Sequence, residues 1–502
     1  MRRTLSLLAA AFFASSPVQA QAPAEQFNLV GVTAYEPAQL LSYAAQVVVG
    51  RGQRVTANRL ASTLEQLYRE DGYFLAEVFI ARDGRTLVVN EGRIGSVSIE
   101  GVDGSMFQLM RRYVRPVTHS QALTLREFER SIMLVEDIGS ISANAEIDYP
   151  DPNGPARLRI IAEETDDRFG AVTLDHPARE FGEAATLTFS QTYLSAAVPG
   201  DMIRFELSGT SDFEGDDSLW GAATYRMPVG GSGAYAELFY GNINARRDTS
   251  GALLATDING DTAVAAFGYP VVRDVETYGY ALAEIRRSGT EVDVSGTVFD
   301  SEVEVAGLSW IFGKTLPRGG AYEYAVNISA GQRSSSATGF DDGDEEFSHL
   351  RLGFGYEHPT RWFGPDSTVR AEIWGQYSGD RLPSVEEFHL GGRDDERGYL
   401  FGEAVGDSGV SATLEVSRDL FPETPGIQFL RPFGFLDVGY VSNNAPGASE
   451  VDEDTFASLG LGIEAVTRSN VTLRSYVVSP LTDGPSTESG DATVYVGITK
   501  SW

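Results

Sequence analysis

The stretch TVRAEIWGQYS, Thr368–Ser378, alternates in character side chain by side chain. Val369, Ala371, Ile373 and Tyr377 fall on one face of an extended strand; Arg370, Glu372, Gln376 and Ser378 fall on the other, with Trp374 the exception among them. Successive residues of a strand point to opposite faces, so the segment has a lipid-compatible side and a charged side. That is the pattern of a membrane-spanning β-strand with a wet interior. Met202–Ser208 repeats it, with Ile203, Phe205 and Leu207 opposed to Arg204, Glu206 and Ser208. So does the final segment, where Val494, Val496, Ile498 and Trp502 oppose Thr493, Tyr495, Thr499 and Ser501.

From about Phe169 onward helical periodicity is absent and about sixteen such segments follow one another, an even number as closed barrels require. The 336 residues from 167 to 502, shared among sixteen strands, leave 21 for each strand and its connection. Connections alternate in length. VGG near Val229, RDV near Arg273, PRGG near Pro317 and RSN near Arg468 are tight, whereas NARRDTSGALLATDING, SSSATGFDDGDEE and NNAPGASEVDED are long and mostly acidic. Short turns on one side and long loops on the other belong to membrane barrels. A soluble β-sandwich or propeller would not need aromatic side chains near so many strand ends, nor finish on an aromatic. Residues 167–502 therefore read as an all-β transmembrane barrel of about 16 antiparallel strands.

Working outward, residues 27–92 and 94–165 read alike. Each starts on a short strand, FNLVGV and IGSVSIEGV, and continues through two helical stretches. LLSYAAQVVV and TANRLASTLEQLYRE serve the first copy, with Leu60, Leu64 and Leu67 at helical spacing, and MFQLMRRYV and LREFERSIMLVEDI serve the second. Each copy closes on two alternating strands, FLAEVFIA and RTLVVNEG, then ISANAEIDY and RLRIIAEE. The order β-α-α-β-β thus occurs twice at a period of about 70 residues, a pair of compact domains rather than a solenoid. Ahead of them, Arg2 and Arg3, the apolar run Leu5–Ala14 and Val18-Gln19-Ala20 have the order of a secretory signal peptide over 1–20. No later apolar run is long enough for a transmembrane helix.

Composition narrows the function. Among 502 residues there are 39 Lys+Arg, 71 Asp+Glu and no cysteine, for a net charge of −32; removal of residues 1–20 takes two arginines and leaves −34. No cysteine means no disulfide scaffold, thiol nucleophile or Cys-ligated metal. The acidic balance argues against nucleic acid as a partner, since that contact releases counterions from a basic footprint.

The connection between the eleventh and twelfth strands, Gly379–Ser408, is about 30 residues long, well beyond ordinary loops. It contains LGGRDDERGYL, with Arg397-Gly398-Tyr399, and strand thirteen carries FLDVG, with Phe435, Asp437 and Gly439. Strand parity puts Asp437 on the lumen face with Arg431 and Phe433, and Leu436, Val438 and Tyr440 toward lipid. An inward-folded loop would let Arg397 grip Asp437 in a bidentate pair, with Gly398 allowing a tight tip.

Two domains of the POTRA kind, a sixteen-stranded barrel, an RGY loop tip and an FxDxG strand resemble the two-partner secretion transporters, the hemolysin secretion/activation proteins of the outer-membrane assembly and translocation superfamily. EGRIGSVSIEG at Glu91–Gly101 is similar to that family's join between its POTRA domains. The resemblance implies a chain in the outer membrane of a Gram-negative bacterium with POTRA domains in the periplasm. It implies as partner a large secreted exoprotein, an adhesin, hemolysin or similar, captured unfolded and passed through the pore. By the same resemblance Arg397, Gly398, Tyr399, Phe435, Asp437 and Gly439 anchor and gate the loop. Outer-membrane lipid and lipopolysaccharide, and the barrel assembly machinery reading the C-terminal strand that ends in Trp502, are further expected partners. Two departures stand out. Glu396 replaces the aliphatic residue usual before the arginine, and Gln21–Gln26 leaves no room for the plug helix many members carry, so gating falls to the loop.

No cofactor, catalytic group or metal site is expected. Gly406-Asp407-Ser408-Gly409 matches a serine-protease nucleophile segment but has no supporting histidine motif. His119, His176, His349, His358 and His389 lack ligand spacing and read as turn and interface residues. Asp257–Asp261 and Asp341–Glu346 are similar to calcium loops without the twelve-residue pattern and read as solvated loops. Beside the translocator stand an outer-membrane assembly or insertion factor and, last, a passive porin; a porin needs neither periplasmic domains nor an anchored loop.

Overall fold

The computed structural model describes residues 26–502 except 151–153, 177–183, 214–215, 248–255, 336–342, 394 and 447–451. The expected signal peptide and most of Gln21–Gln26 lie outside the described residues. The chain divides into an N-terminal α/β unit, extending to Thr165, and a barrel.

The α/β unit holds two copies of one motif. In the first, strand Asn28–Val30 leads to helices Pro37–Gly50 and Ala57–Glu70 and strands Glu77–Ile80 and Thr86–Asn90. In the second, strand Ile94–Glu100 leads to helices Gly104–His119 and Leu125–Glu136 and strands Ile141–Asp148 and Ala156–Glu164. Each sheet places its last strand in the middle, parallel to the first and antiparallel to the second. The helices cover one sheet face: Leu60 and Leu64 are fully buried with Leu40 and Leu87 in one core, and Leu109, Leu134 and Leu158 fill the other. Leu67, at the edge of the stripe, is only half-buried. Helix starts follow local chemistry. Thr124 and Glu127 close a reciprocal capping box, and Thr56 accepts from the N–H of Arg59. The opening strand is shorter than FNLVGV, because Gly31 turns the chain at φ +83.

The barrel closes with sixteen antiparallel strands. In chain order they are Arg168–His176, Ala185–Leu194, Met202–Ser211, Asp217–Val229, Ala234–Arg247, Thr256–Arg273, Thr277–Val294, Thr297–Thr315, Ala321–Ser335, Glu346–Thr360, Ser367–Tyr377, Ser408–Arg418, Ile427–Ser442, Glu453–Thr467, Val471–Pro480 and Thr493–Ser501. The ring is sealed where Val496–Ser501 pair with His176–Ala171. Apolar residues such as Ile285, Leu308, Ile328 and Leu461 stay more than half exposed around the outside, the arrangement of a lipid-facing band.

Two expectations are corrected. NARRDTSGALLATDING is not one long loop: Asn244–Arg247 and Thr256–Gly260 belong to the fifth and sixth strands and pair with each other. Asp257–Asp261 is therefore ladder, not a solvated loop, with Asn244 opposite Asn259 and Asn242 opposite Asp261. Turn-like Asn, Asp and Gly residues are carried by strand ladders that run past the length a membrane requires, since about ten residues suffice to span. The acidic run Asp341–Glu346 begins among residues outside the description.

Candidate functional site

Tyr377 ends the eleventh strand and Ser408 begins the twelfth; the connection between them folds back against the inner wall. It contains its own short hairpin, Phe388–Leu390 paired with Ala404–Gly406. Asp407 staples the two ends: its carboxylate accepts from the N–H of Leu382 and of Asn444, each at 2.6 Å. The Gly-Asp-Ser-Gly match to a protease is thus a loop clamp, with Ser408 Oγ 3.0 Å from the N–H of Ser378.

The loop tip carries Arg397. Its Nε and Nη2 each reach an oxygen of Asp437 at 2.8 Å, and its backbone N–H reaches Oδ2 at 3.2 Å. Asp437 is fully buried in the thirteenth strand and also accepts from Thr413 (2.9 Å) and Ser458 (3.3 Å). Phe435, two residues earlier on the same face, lies under the guanidinium at 3.3 Å from ring centre to Cζ. Glu415 bridges Arg397 and Arg474. The planar fork of arginine fits this cradle, with a carboxylate in its plane and a ring beneath it.

The neighbouring motif residues complete the seat. Gly398 adopts φ +101, a backbone state side chains disfavour. Tyr399 is fully buried, stacks on Phe456 at 4.2 Å and 3°, and sets its hydroxyl 2.8 Å from the carbonyls of Ala457 and Thr482. Gly439 leaves room for the tip: a Cβ there would stand 2.4 Å from Glu396 Oε1 and 2.6 Å from Leu390. All six expected residues therefore meet in one place. Lumen parity also agrees, since Phe433 and Asp437 are buried whereas Leu436, Val438 and Tyr440 are exposed.

Glu396 is buried inside this seat, with Oε2 accepting from the N–H of Gly391 at 3.2 Å. Burial, with the charges of Asp395 and Asp437 behind it, pushes its carboxyl up to about 7, although Ser411 and Gly391 pull the other way.

Other loop residues escaped the sequence reading. Arg393 pairs with Asp175 of the first strand at 2.5 Å, and Asp175 also binds the hydroxyl of Tyr495 on the last strand. Glu386, with Arg286, His349 and Arg351, forms a further buried cluster. His349 is thus a wall residue facing the loop, not a turn or interface residue. A charged residue on the lumen face of each of two expected strands was the available signal.

The family model described as "Haemolysin secretion/activation protein ShlB/FhaC/HecB" matches residues 200–465, more than half of the chain. The chain belongs to this haemolysin secretion/activation family. As a ShlB/FhaC/HecB-type protein it is an outer-membrane β-barrel translocator of the two-partner secretion class. Its fold is similar to CdiB from Escherichia coli, with TM-score 0.78 at 18% identity over 95% of this chain and 90% of that one. CdiB from Acinetobacter baumannii gives 0.75 at 14% over 95% and 89%. BamA from Haemophilus ducreyi lacking POTRA domains 1–3 gives 0.54 at 14% over 95% and 99%. At these identities the likeness is one of fold. No curated protein matches the chain in sequence.

Proposed function

We propose that this transporter captures one unfolded secreted exoprotein in the periplasm through two POTRA-type domains, residues 27–92 and 94–165, and passes it through a pore gated by the loop Gly379–Ser408. The observation that carries the reading is the buried bidentate pair of Arg397 and Asp437, which ties a long connection to the inner wall by a bond that can be broken and remade. Arg397, Gly398, Tyr399, Phe435, Asp437 and Gly439 act as its seat. Capture is supported by the sheet edges of the α/β unit. Glu77–Ile80 pairs on one side only within its sheet, and two of its own residues, Phe79 and Ile80, are exposed. An extended client can add there as a further strand, through main-chain bonds that tolerate any sequence.

The test compares culture supernatants of wild type and a deletion strain, with total outer-membrane protein as control. Loss of one large secreted protein against a normal outer membrane is expected, and identifies the client. A normal supernatant with depleted barrels would make the chain an assembly factor instead.

A further inference from the structure

The loop is held ahead of its tip as well as at it. Before its hairpin, Glu386 is buried with its side chain only 1% exposed, and two arginines and a histidine of the wall converge on it. Arg286 Nη2, from the seventh strand, lies 2.8 Å from both carboxylate oxygens. From the tenth strand, His349 Nε2 lies 3.1 Å and Arg351 Nη2 3.2 Å from Oε2. The backbone carbonyl of Glu386 accepts from Arg351 (3.0 Å) and from Gln376 of the eleventh strand (2.9 Å). Four residues earlier Leu382, 2% exposed, packs with Val303 and Val305 of the eighth strand and Phe347 of the tenth. Burial works against the Glu386 carboxylate, yet His349, Arg286 and Arg351 more than offset it and hold its carboxyl below the usual range.

These partners sit elsewhere on the ring from those of Arg397. The tip is seated on the twelfth to fourteenth strands, and Arg286 stands on the seventh, six places from the thirteenth in a ring of sixteen. The loop therefore meets the wall at two charge-paired points, Glu386 and Arg397, that rest on different strands.

We propose that Glu386 is a second latch, a positioning residue whose pairing with Arg286, Arg351 and His349 holds the leading half of the loop independently of Arg397, so that the pore opens fully only when both latches are released. This rests on the reading of the loop as the gate. Freeing the tip alone leaves residues up to the hairpin pinned to the wall, and freeing Glu386 alone leaves the tip seated. Removing one member of a buried pair strands the other charge, so either latch should be sensitive to a neutral isostere.

Single-channel recording of the full chain in planar bilayers tests this with Glu386→Gln, Arg286→Gln, Arg397→Ala and two combinations. Glu386→Gln and Arg286→Gln should each raise the open fraction by about tenfold. Together they should open the channel no more than Glu386→Gln alone, because they remove the same bond. Glu386→Gln with Arg397→Ala should open it well beyond either. If the two latch variants gate as wild type while Arg397→Ala opens the pore, the second latch is refuted and the loop-gate reading stands. If Arg397→Ala also gates as wild type, the loop is no gate and both fall. Heat-modifiable mobility checks assembly, and should Glu386→Gln not assemble, Arg286→Gln decides the matter by itself.

Discussion

Arg397 and Asp437, forty residues apart, meet through two parallel 2.8 Å bonds inside the barrel, and the aspartate is fully closed to solvent. Asp437 could not hold its charge there without the arginine: an unpaired carboxylate in that seat would cost several kcal/mol. The loop position is thus fixed by electrostatics rather than by apolar packing alone.

Replacing Arg397 with alanine should remove about 3–5 kcal/mol from the seated loop, because it leaves Asp437 buried without a cationic partner, held by two hydroxyls and the backbone N–H of residue 397. The barrel should still assemble, since its sixteen strands pair without the loop. Reduced secretion and altered conductance are expected; if both stay at wild-type levels, the ion pair has no part in gating. Arg397→Lys should fall between, as an ammonium cannot make the forked contact.

Glu396 makes the seat sensitive to pH. Its carboxyl is raised to about 7 in the seated loop and returns to the ordinary range on release, so the seated state binds the extra proton. The seat is strongest at low pH and loses that advantage as pH rises through about 7, with no further change above it. Open fraction should therefore climb between about pH 5 and pH 7. Glu396→Gln should flatten the profile, and a profile of unchanged slope in that variant would place the titration elsewhere.

Glu91, at the end of the first α/β copy, ties that copy together. Its carboxylate accepts from the N–H groups of Thr33 and Ala34 at 2.9 Å, from the hydroxyl of Tyr68 at 2.7 Å and from the Thr33 hydroxyl. Glu91→Ala leaves buried donors unanswered and should destabilise the first copy by about 2–4 kcal/mol. Urea-dependent proteolysis of assembled protein reads this as a lower midpoint for cleavage within residues 27–92, with the barrel unaffected. Equal midpoints would mean that water replaces the carboxylate without cost.

Deleting residues 27–92 should leave insertion intact and abolish client capture. A pull-down of the secreted partner on the deleted and full-length transporter separates the two. Equal recovery would remove the first copy from the mechanism.

Much of this was legible in the chain. Alternation in Thr368–Ser378 and its counterparts marked the strands, and two-residue parity put Asp437 inside, so an arginine on an oversized loop had one obvious carboxylate to seek. The Glu386 cluster was not legible. Arg286 lies 100 residues from Glu386, and their meeting depends on how strands seven, ten and eleven sit around the ring, which no local pattern encodes. Glu386 and Glu387 are also indistinguishable in sequence, though only the first is buried. Strand ends were misread where Asn, Asp and Gly continue a ladder past the membrane, because local turn propensity is overruled by a paired neighbour.

The seam between first and last barrel strands bears on how the protein comes into being. Asp175 and Tyr495, bonded across it, are 320 residues apart. Joining ends so distant is entropically expensive and kinetically late. Until it happens, the growing sheet has two raw margins with unpaired amides, each a template for mispairing with any other chain nearby. Closing the seam through Val496–Ser501 and Ala171–His176 removes both margins at once.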